Sequence, residues 1–331
     1  MKRIQWIYLF IMLLFGIFGL LIVIKSSQEI KWVSVNPLWL LVSILFLVLW
    51  WFFDSLSLLT IFQGAGIKIK LSLAVKSMLV GFFFGSITPF NTGTIPAIVL
   101  YLRSQKILVR DCLSPVLMKS LMNGITRAIA SLFLALYLSP VLSGKMGTLI
   151  QGILLAYGSS ILLIYFVLIN RSILAGHIRS FLNKNLVLMG KKISKLNSIF
   201  VSLGETIQHS PDRFSSFRNP IQWMPLSFGF IFLFWLAQLS LPYFIQLSIG
   251  IRTSFISAAS TQASYYLLAP YLPTPGGSGM AEVGYGLLTK SLGGQNNPLF
   301  VFLWRVISFY LPLFIGGIFF MENLPKKNKS T

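Results

Sequence analysis

The stretch Tyr271-Leu-Pro-Thr-Pro-Gly-Gly-Ser-Gly-Met-Ala-Glu282 lies inside a long hydrophobic region and decides how the chain folds. Its two prolines and three glycines interrupt any helix, because proline lacks a backbone N–H and glycine has a low helix propensity. At membrane depth, an interrupted helix is tolerated only where it is buried in protein or lines a cavity. The stretch ends in an acid, Glu282. Acidic residues are rare at such depth, and ionisable residues there are usually functional. The stretch therefore predicts a polytopic membrane protein with an unwound polar site inside the bilayer.

The composition also indicates a membrane protein. Of the 331 residues, 55% are hydrophobic and 10% are charged, whereas soluble domains carry about 25% charged residues. A net charge of +20 would indicate nucleic-acid binding in a soluble protein. Here the basic residues lie between hydrophobic spans, so membrane topology and anionic lipid explain the charge better. We therefore expect membrane lipids, and no nucleic acid, as partners, and the sequence leaves the oligomeric state open.

The single cysteine, Cys112, excludes a disulfide within the chain and a cysteine-based zinc site. The two histidines fall in a basic polar loop, where we interpret them as surface residues. The sequence therefore predicts no metal ion and no cofactor.

Eight apolar runs predict the topology; they cover 6–24, 38–63, 71–88, 115–138, 148–169, 223–247, 255–272 and 298–320. If every run crossed the membrane once, basic loops would lie on both faces. If 71–88 and 255–272, which end in Pro/Gly-rich breaks, instead turn back as re-entrant hairpins, most basic loops share one face. Lys68 then lies on that face and Arg252 on the other, and the positive-inside rule makes the first face cytoplasmic.

The predicted fold is therefore an all-α polytopic membrane protein with about six full transmembrane helices and two oppositely oriented re-entrant hairpins. Both termini are predicted to be cytoplasmic, and the protein to be integral to the cytoplasmic (plasma) membrane. We interpret 1–331 as a single transmembrane domain, with 1–140 as its first half and 223–331 as its second. Residues 141–222 would form a linking helix and a basic cytoplasmic loop, which includes an interfacial amphipathic helix.

The two breaks resemble each other. Thr88-Pro-Phe-Asn-Thr-Gly93 and Thr274-Pro-Gly-Gly-Ser-Gly279 both fit Thr-Pro-x-x-x-Gly, and a later span after each carries an arginine, Arg127 or Arg305. Because the two copies are predicted to enter from opposite faces, they indicate an inverted repeat, an architecture of secondary transporters. The alternative is two unrelated Pro/Gly kinks. The hinges predicted at these breaks are Pro89, Gly93, Pro96, Pro273 and Pro275.

These motifs resemble those of a known family. Pro273-Thr-Pro-Gly-Gly-Ser-Gly-Met-Ala-Glu282, followed by Gly293 and Arg305, is similar to the C-terminal signature of the lysylphosphatidylglycerol synthase transmembrane, or flippase-like, family. Thr88-Pro-Phe-Asn-Thr-Gly-Thr-Ile-Pro96 with Arg103 resembles its N-terminal signature. The likeness extends over nearly the whole chain.

The resemblance implies a module that moves a lipid between leaflets. In bifunctional members a separate soluble domain aminoacylates phosphatidylglycerol, and no counterpart of that domain is visible here, so we expect a transporter and not an enzyme. The family often has Gly-Gly-Glu/Gln-Pro where this chain has Gly93-Thr-Ile-Pro96. That difference removes a polar side chain at Ile95.

Each candidate site residue has a structural alternative. Glu282 lies at N3 of a helix capped by Gly279, where an acid can bond back to the N-cap amide; it can also pair with an arginine or a cationic headgroup. The glycine amides of the same break offer a cradle for a lipid phosphate. Arg127 lies midway along its span and needs a partner, because a central arginine costs about 2.5–3.5 kcal/mol on insertion scales. An ion pair with Asp54 and a transport role are both open for it.

The predicted substrate-binding or transport residues are Glu282, Arg305, Arg127, Asp54, Asn91, Thr92, Gly276, Gly277 and Gly279. The function predicted from them is transport of a phospholipid or lipid-linked substrate between leaflets. Two alternatives are a membrane-embedded transferase acting on a polyprenyl or phospholipid substrate, and an accessory subunit in cell-envelope lipid or glycan synthesis.

Overall fold

The computed structural model describes residues 34–137, 220–269, 272, 274–291 and 297–322, together with a few positions between 148 and 159. All regular structure in these residues is helical. The predicted first span 6–24, most of the span 148–169 and the basic loop lie outside the described residues.

The helices of the described part are α1 (Pro37–Gly64), α2 (Leu71–Ile87), α3 (Thr94–Ser104), α4 (Val109–Tyr137), α5 (Pro220–Ser248), α6 (Phe255–Leu268), α7 (Met280–Ser291) and α8 (Pro298–Glu322). Three of them, α1, α5 and α8, are long and apolar enough to cross a membrane. The prediction of a helical membrane protein is thereby confirmed, with membrane-length helices at three of the predicted spans. Helix α4 covers the predicted span 115–138 but begins earlier, at Val109.

Local sequence explains where these helices begin and end. Helices α1 and α8 both start with Asn-Pro: the Asn36 and Asn297 side chains accept from the N–H of Leu38 and Leu299, at 3.0 and 2.9 Å. Proline suits the first helical position because the amide it lacks has no partner within the helix. Helix α2 ends at the residue pair Thr88-Pro89, where proline disfavours helical backbone in the residue before it.

The described helices form two halves of the same order, α1–α4 and α5–α8. Each helix of the second half begins 183 to 189 residues after its counterpart (220 against 37 for the first pair, 298 against 109 for the last). The Thr-Pro-x-x-x-Gly motifs form equivalent turns, which we call tip 1 (Thr88–Gly93) and tip 2 (Thr274–Gly279). Each contains a 3₁₀ turn with two successive residues at positive φ, Phe90 and Asn91 in tip 1 (54° and 57°) and Gly276 and Gly277 in tip 2 (59° and 64°).

The first helices of the two halves run antiparallel. The N–H of Asn36, before α1, donates to Ser248 O at the end of α5 (2.6 Å), and the hydroxyls of Thr60 and Ser227 lie 2.7 Å apart at the other ends. Helix α2 therefore follows from one end of this pair, and α6 from the opposite end. The two tips contact each other, and a Cβ on Gly276 would lie 3.2 Å from Ser86 O.

The two largest hydrophobic clusters of the described residues lie in different groups of helices. One cluster joins α1 to α5–α8 around Trp50, Tyr285 and Trp304, and the other joins α1–α4 around Leu58 and Leu102. Small residues allow the closest helix contacts, as is common in membranes: a Cβ on Gly316 of α8 would clash with the backbone carbonyl of Leu79 in α2. Large apolar side chains such as Phe232 and Phe314 are exposed on the outside, which suits a lipid environment.

Candidate functional site

A buried ion pair joins the first turn of α7, directly after tip 2, to α8. Arg305 Nε donates to Glu282 Oε1 at 2.7 Å, and the two side chains are 1% and 0% exposed. The other carboxylate oxygen, Oε2, accepts from the N–H of Gly279 at 2.7 Å. Glu282 thus serves in both predicted ways at once, as the N3 cap of α7 and as the partner of an arginine.

Arg305 contacts several groups besides Glu282. Its Nη2 donates to Gly276 O (3.2 Å) and Ser278 Oγ (3.3 Å), and its guanidinium lies 4.1 Å from the centre of the Phe309 ring. Its 1% exposure excludes a side chain that extends outward to the membrane interface. A π-helical turn, Val306–Tyr310, follows Arg305 in α8, and such turns are frequent at functional sites.

In tip 1 a different residue caps the helix that follows, α3. The N–H of Gly93, at the position of Gly279, donates to Thr88 Oγ1 at 2.8 Å, and that hydroxyl donates in turn to Phe84 O. The residue at the position of Glu282 is Pro96, so tip 1 has no carboxylate. Conversely, the hydroxyl of Thr274, at the position of Thr88, is buried and has no hydrogen-bond partner in the described part of the chain.

A cavity of about 490 Å³ lies where the tips meet. Its lining is amphipathic. Apolar walls come from Trp50, Phe82, Ile95, Ile98 and Phe234, and the polar groups include Asp54, Lys119, Arg127, Gln238, Thr274 and Arg305. Phe90 and Ser120 also line it and are exposed, so the cavity reaches the surface of the described part of the chain.

Asp54 pairs with Lys119 and not with Arg127. Lys119 Nζ lies 2.5 Å from Asp54 Oδ1, and both side chains are largely buried. Lys119 is not among the residues predicted from the sequence, although a signal for it exists: Lys119, Asn123 and Arg127 recur every four residues and so lie on one face of α4. The offset of 186 residues between the tips also places Lys119, not Arg127, opposite Arg305 in the repeat.

Arg127 lines the cavity, and none of the described residues is an acidic partner for it. Its guanidinium lies 5.5 Å from the ring of Trp235, whose indole N–H donates to Asn123 Oδ1 at 3.0 Å. Arg127 Nε is buried and has no hydrogen-bond partner among the residues that the structure describes. The ion pair with Asp54, one of the two roles open for Arg127 in the sequence, is therefore wrong.

The remaining predicted residues divide between the cavity and the turns. Asn91, Gly276 and Gly277 line the cavity, whereas Thr92 is exposed and does not. Gly279 caps α7 at φ 82°.

The amides of tip 2 are engaged within the turn itself. The N–H of Gly277 donates to Thr274 O at 2.8 Å, and that of Gly279 is taken by Glu282. Two of the amides considered from the sequence for a phosphate cradle, those of Gly277 and Gly279, therefore already have partners within the protein. Of the predicted hinges, Pro89 and Pro275 begin the two 3₁₀ turns, Gly93 is the N-cap of α3 and Pro96 its third residue; Pro273 lies outside the described residues.

Comparison with known proteins identifies relatives. The sequence profile described as lysylphosphatidylglycerol synthase TM region matches residues 7–316. A UPF0104 membrane protein of Archaeoglobus fulgidus is 22% identical over 299 residues, which cover 88% of this chain and 90% of the relative. The UPF0104 membrane protein PH1989 of Pyrococcus horikoshii is 32% identical over 94 residues, 28% of each chain. No solved structure matches.

Proposed function

Because the chain belongs to the lysylphosphatidylglycerol synthase transmembrane family, we propose that it moves a phospholipid or lipid-linked substrate between the leaflets of the cytoplasmic membrane. The observation that carries this proposal is the amphipathic cavity at the meeting point of the tips. Charged groups in its centre suit a polar headgroup, and its apolar walls suit the start of acyl or polyprenyl tails. The proposed activity is transport without covalent chemistry.

We propose that α2–tip 1–α3 and α6–tip 2–α7 are re-entrant hairpins that enter from opposite faces. Their helices have 17, 11, 14 and 12 residues, and about 20 residues are needed to cross a bilayer. The antiparallel arrangement of α1 and α5 and the contact between the tips support this topology. The basic loops of the sequence favour cytoplasmic termini.

In this topology the headgroup would pass between the tips while its tails remain in the surrounding lipid. The two tips are held differently. Tip 2 is tied to α8 by Arg305, which donates to Gly276 O and Ser278 Oγ and pairs with Glu282 just after the tip. Tip 1 is closed by hydroxyl and amide hydrogen bonds and has two non-glycine residues at positive φ. We therefore propose tip 1 as the more easily displaced gate.

The test is a leaflet-translocation assay in proteoliposomes with headgroup-labelled phosphatidylglycerol, phosphatidylethanolamine and a polyprenyl phosphate. A membrane-impermeant quencher reports the labelled lipid that remains in the outer leaflet. We expect the wild type to equilibrate at least one of these lipids faster than protein-free liposomes. Ser120→Trp should slow that movement, because a large ring at this exposed lining position obstructs the cavity.

A matched control places the same ring elsewhere. Phe314 is 70% exposed on the outer surface of α8, so Phe314→Trp should leave translocation unchanged. If the wild type moves none of the three lipids, transport is the wrong function and the accessory-subunit alternative becomes the better one. If both tryptophan variants move lipid as fast as the wild type, the route does not pass through this cavity.

A further inference from the structure

Three buried polar atoms in the cavity wall have no partner among the described residues. They are Arg127 Nε on α4, Gln238 Oε1 on α5 and Thr274 Oγ1 in tip 2. Buried polar groups in proteins are almost always hydrogen-bonded, and each exception calls for an explanation. Three exceptions from three separate elements around one cavity indicate a ligand that completes them.

The pseudo-repeat explains why one of these atoms is free. In tip 1 the threonine hydroxyl caps the following helix, but in tip 2 Glu282 takes over that task. The hydroxyl of Thr274 is thereby released and lies at the cavity instead. The Thr274 hydroxyl has no hydrogen-bond partner among the described residues because a different residue caps the helix after tip 2. Its unpaired state therefore follows from the sequence difference between the tips.

Of the three cations that line the cavity, one has no acidic partner among the described residues. Lys119 is neutralised by Asp54 at 2.5 Å, and Arg305 by Glu282 at 2.7 Å. Arg127 is the third cation of the lining, and no carboxylate of the described residues lies within ion-pair distance of it. A guanidinium presents planar pairs of N–H donors that match phosphate oxygens. The cavity wall at Arg127 therefore suits an anion.

The three unpaired groups together suit a ligand that has a hydrogen-bond donor as well as an anionic group. Arg127 Nε only donates, Gln238 Oε1 only accepts, and the Thr274 hydroxyl does either. Gln238 is 3% exposed and its amide lies beside the Tyr266 hydroxyl; the oxygen that stays unpaired suits a donor from the ligand. A bare phosphate monoester with no donor group would leave this oxygen unpaired, and burial of an unpaired polar group weakens binding.

We infer that the cavity binds a phosphodiester whose substituent carries a hydroxyl or amine donor, with the phosphate on Arg127 and Thr274 and the donor on Gln238. This inference rests on the proposed transport function for the view that the phosphodiester belongs to a lipid. The shared chemistry is that of a polyol-, sugar- or amine-bearing phosphodiester, either in a lipid headgroup or in a free soluble molecule.

The experiment is equilibrium binding by calorimetry with the purified full-length chain in detergent. The first probe is dihexanoyl phosphatidylglycerol, which has the anion and the hydroxyl donors. Dihexanoyl glycerol lacks the phosphate, dihexanoyl phosphatidylcholine lacks the donor, and glycerophosphoglycerol lacks the tails. We expect phosphatidylglycerol to bind more tightly than the first two, because each of them leaves part of the triad unpaired.

Variants then assign the contacts. Arg127→Gln should weaken phosphatidylglycerol binding about tenfold or more, since a hydrogen bond to a charged group is lost, and Arg127→Lys should weaken it less because the charge remains. Gln238→Leu should mainly reduce the preference for phosphatidylglycerol over phosphatidylcholine, a change in specificity that a purely structural role would not produce. Lys76→Gln, which removes a partly exposed cation outside the cavity, should bind like the wild type.

Each outcome decides the inference. Equal binding of phosphatidylglycerol by the wild type and by Arg127→Gln would overturn it, as would wild-type binding of dihexanoyl glycerol with the same affinity. Comparable affinity for glycerophosphoglycerol would support the anion site and assign it to a soluble phosphodiester. Arg127-dependent binding without any translocation in proteoliposomes would refute the proposed transport and leave the binding site standing. Translocation that is unaffected by Arg127→Gln would refute the inferred binding site and leave the proposed transport standing.

Discussion

Loss of the Glu282 carboxylate should destabilise the protein while leaving α7 capped. In Glu282→Gln the amide oxygen can still accept from the N–H of Gly279, so the helix cap survives. What is lost is the charge that neutralises Arg305, 2.7 Å away and 1% exposed. The cation keeps its bonds to Gly276 O and Ser278 Oγ and its place over the Phe309 ring.

The expected cost follows from two comparisons. Removal of one partner of a buried ion pair costs about 3–5 kcal/mol. A single uncompensated charge at the centre of a membrane helix costs about 2.5–3.5 kcal/mol on insertion scales. Since a neutral hydrogen bond from Arg305 to the glutamine remains possible, we expect the lower end, about 3 kcal/mol, for Glu282→Gln. Glu282→Ala should cost about 1 kcal/mol more, because the cap is lost as well.

The assay is reversible unfolding in mixed detergent micelles, with helix content followed by circular dichroism as the fraction of dodecyl sulfate rises. The control is Lys76→Gln, which breaks the partly exposed Lys76–Glu322 pair at 3.4 Å and should cost about 0–1 kcal/mol. In the double variant Glu282→Gln/Arg305→Met neither partner of this ion pair carries a charge, so its cost should fall below the sum of the two single costs by about 2 kcal/mol or more. A cost for Glu282→Gln no larger than that of Lys76→Gln, or strict additivity in the double variant, would refute the reasoning.

Three further predictions follow from the geometry. Gly316→Ala should destabilise by about 1–3 kcal/mol in the same unfolding assay, because its Cβ meets a backbone carbonyl of α2. Gly229→Ala, a helix glycine with open space around it, should be neutral or stabilising; equal effects of the two changes would contradict the close approach. Phe90→Gly should stabilise by about 0.5–1 kcal/mol, since φ 54° is unfavourable for a residue with a Cβ, and a loss of stability would show that contacts of the ring outweigh this strain. In intact cells of the cysteine-free Cys112→Ser background, a cysteine at Arg252 should react with an impermeant thiol reagent and one at Lys68 should not, whereas the reverse pattern would contradict cytoplasmic termini.

Local sequence rules by themselves determine a large part of this structure. Each tip begins its 3₁₀ turn at a proline, which fixes φ, and in tip 2 glycine suits the positive φ of Gly276 and Gly277. In tip 1 the positive φ falls on Phe90 and Asn91, which glycine rules do not predict. The Asn-Pro pairs mark where α1 and α8 begin, and the apolar runs give the three membrane-length helices. The capping role of Glu282 is also local, since it spans only three residues.

Only the tertiary structure decides which charges meet. Asp54 and Lys119 lie 65 residues apart, and Glu282 and Arg305 lie 23 apart on different helices; no periodicity within one segment specifies such pairs. From the sequence, Asp54 and Glu282 are the candidate acids within the membrane, and the partner of Arg127 stays open. Packing assigns both acids to other cations and leaves Arg127 at the cavity. The reason is physical: a salt bridge needs its two atoms within a few ångströms, and that distance is set by how helices pack and not by the residues along either one.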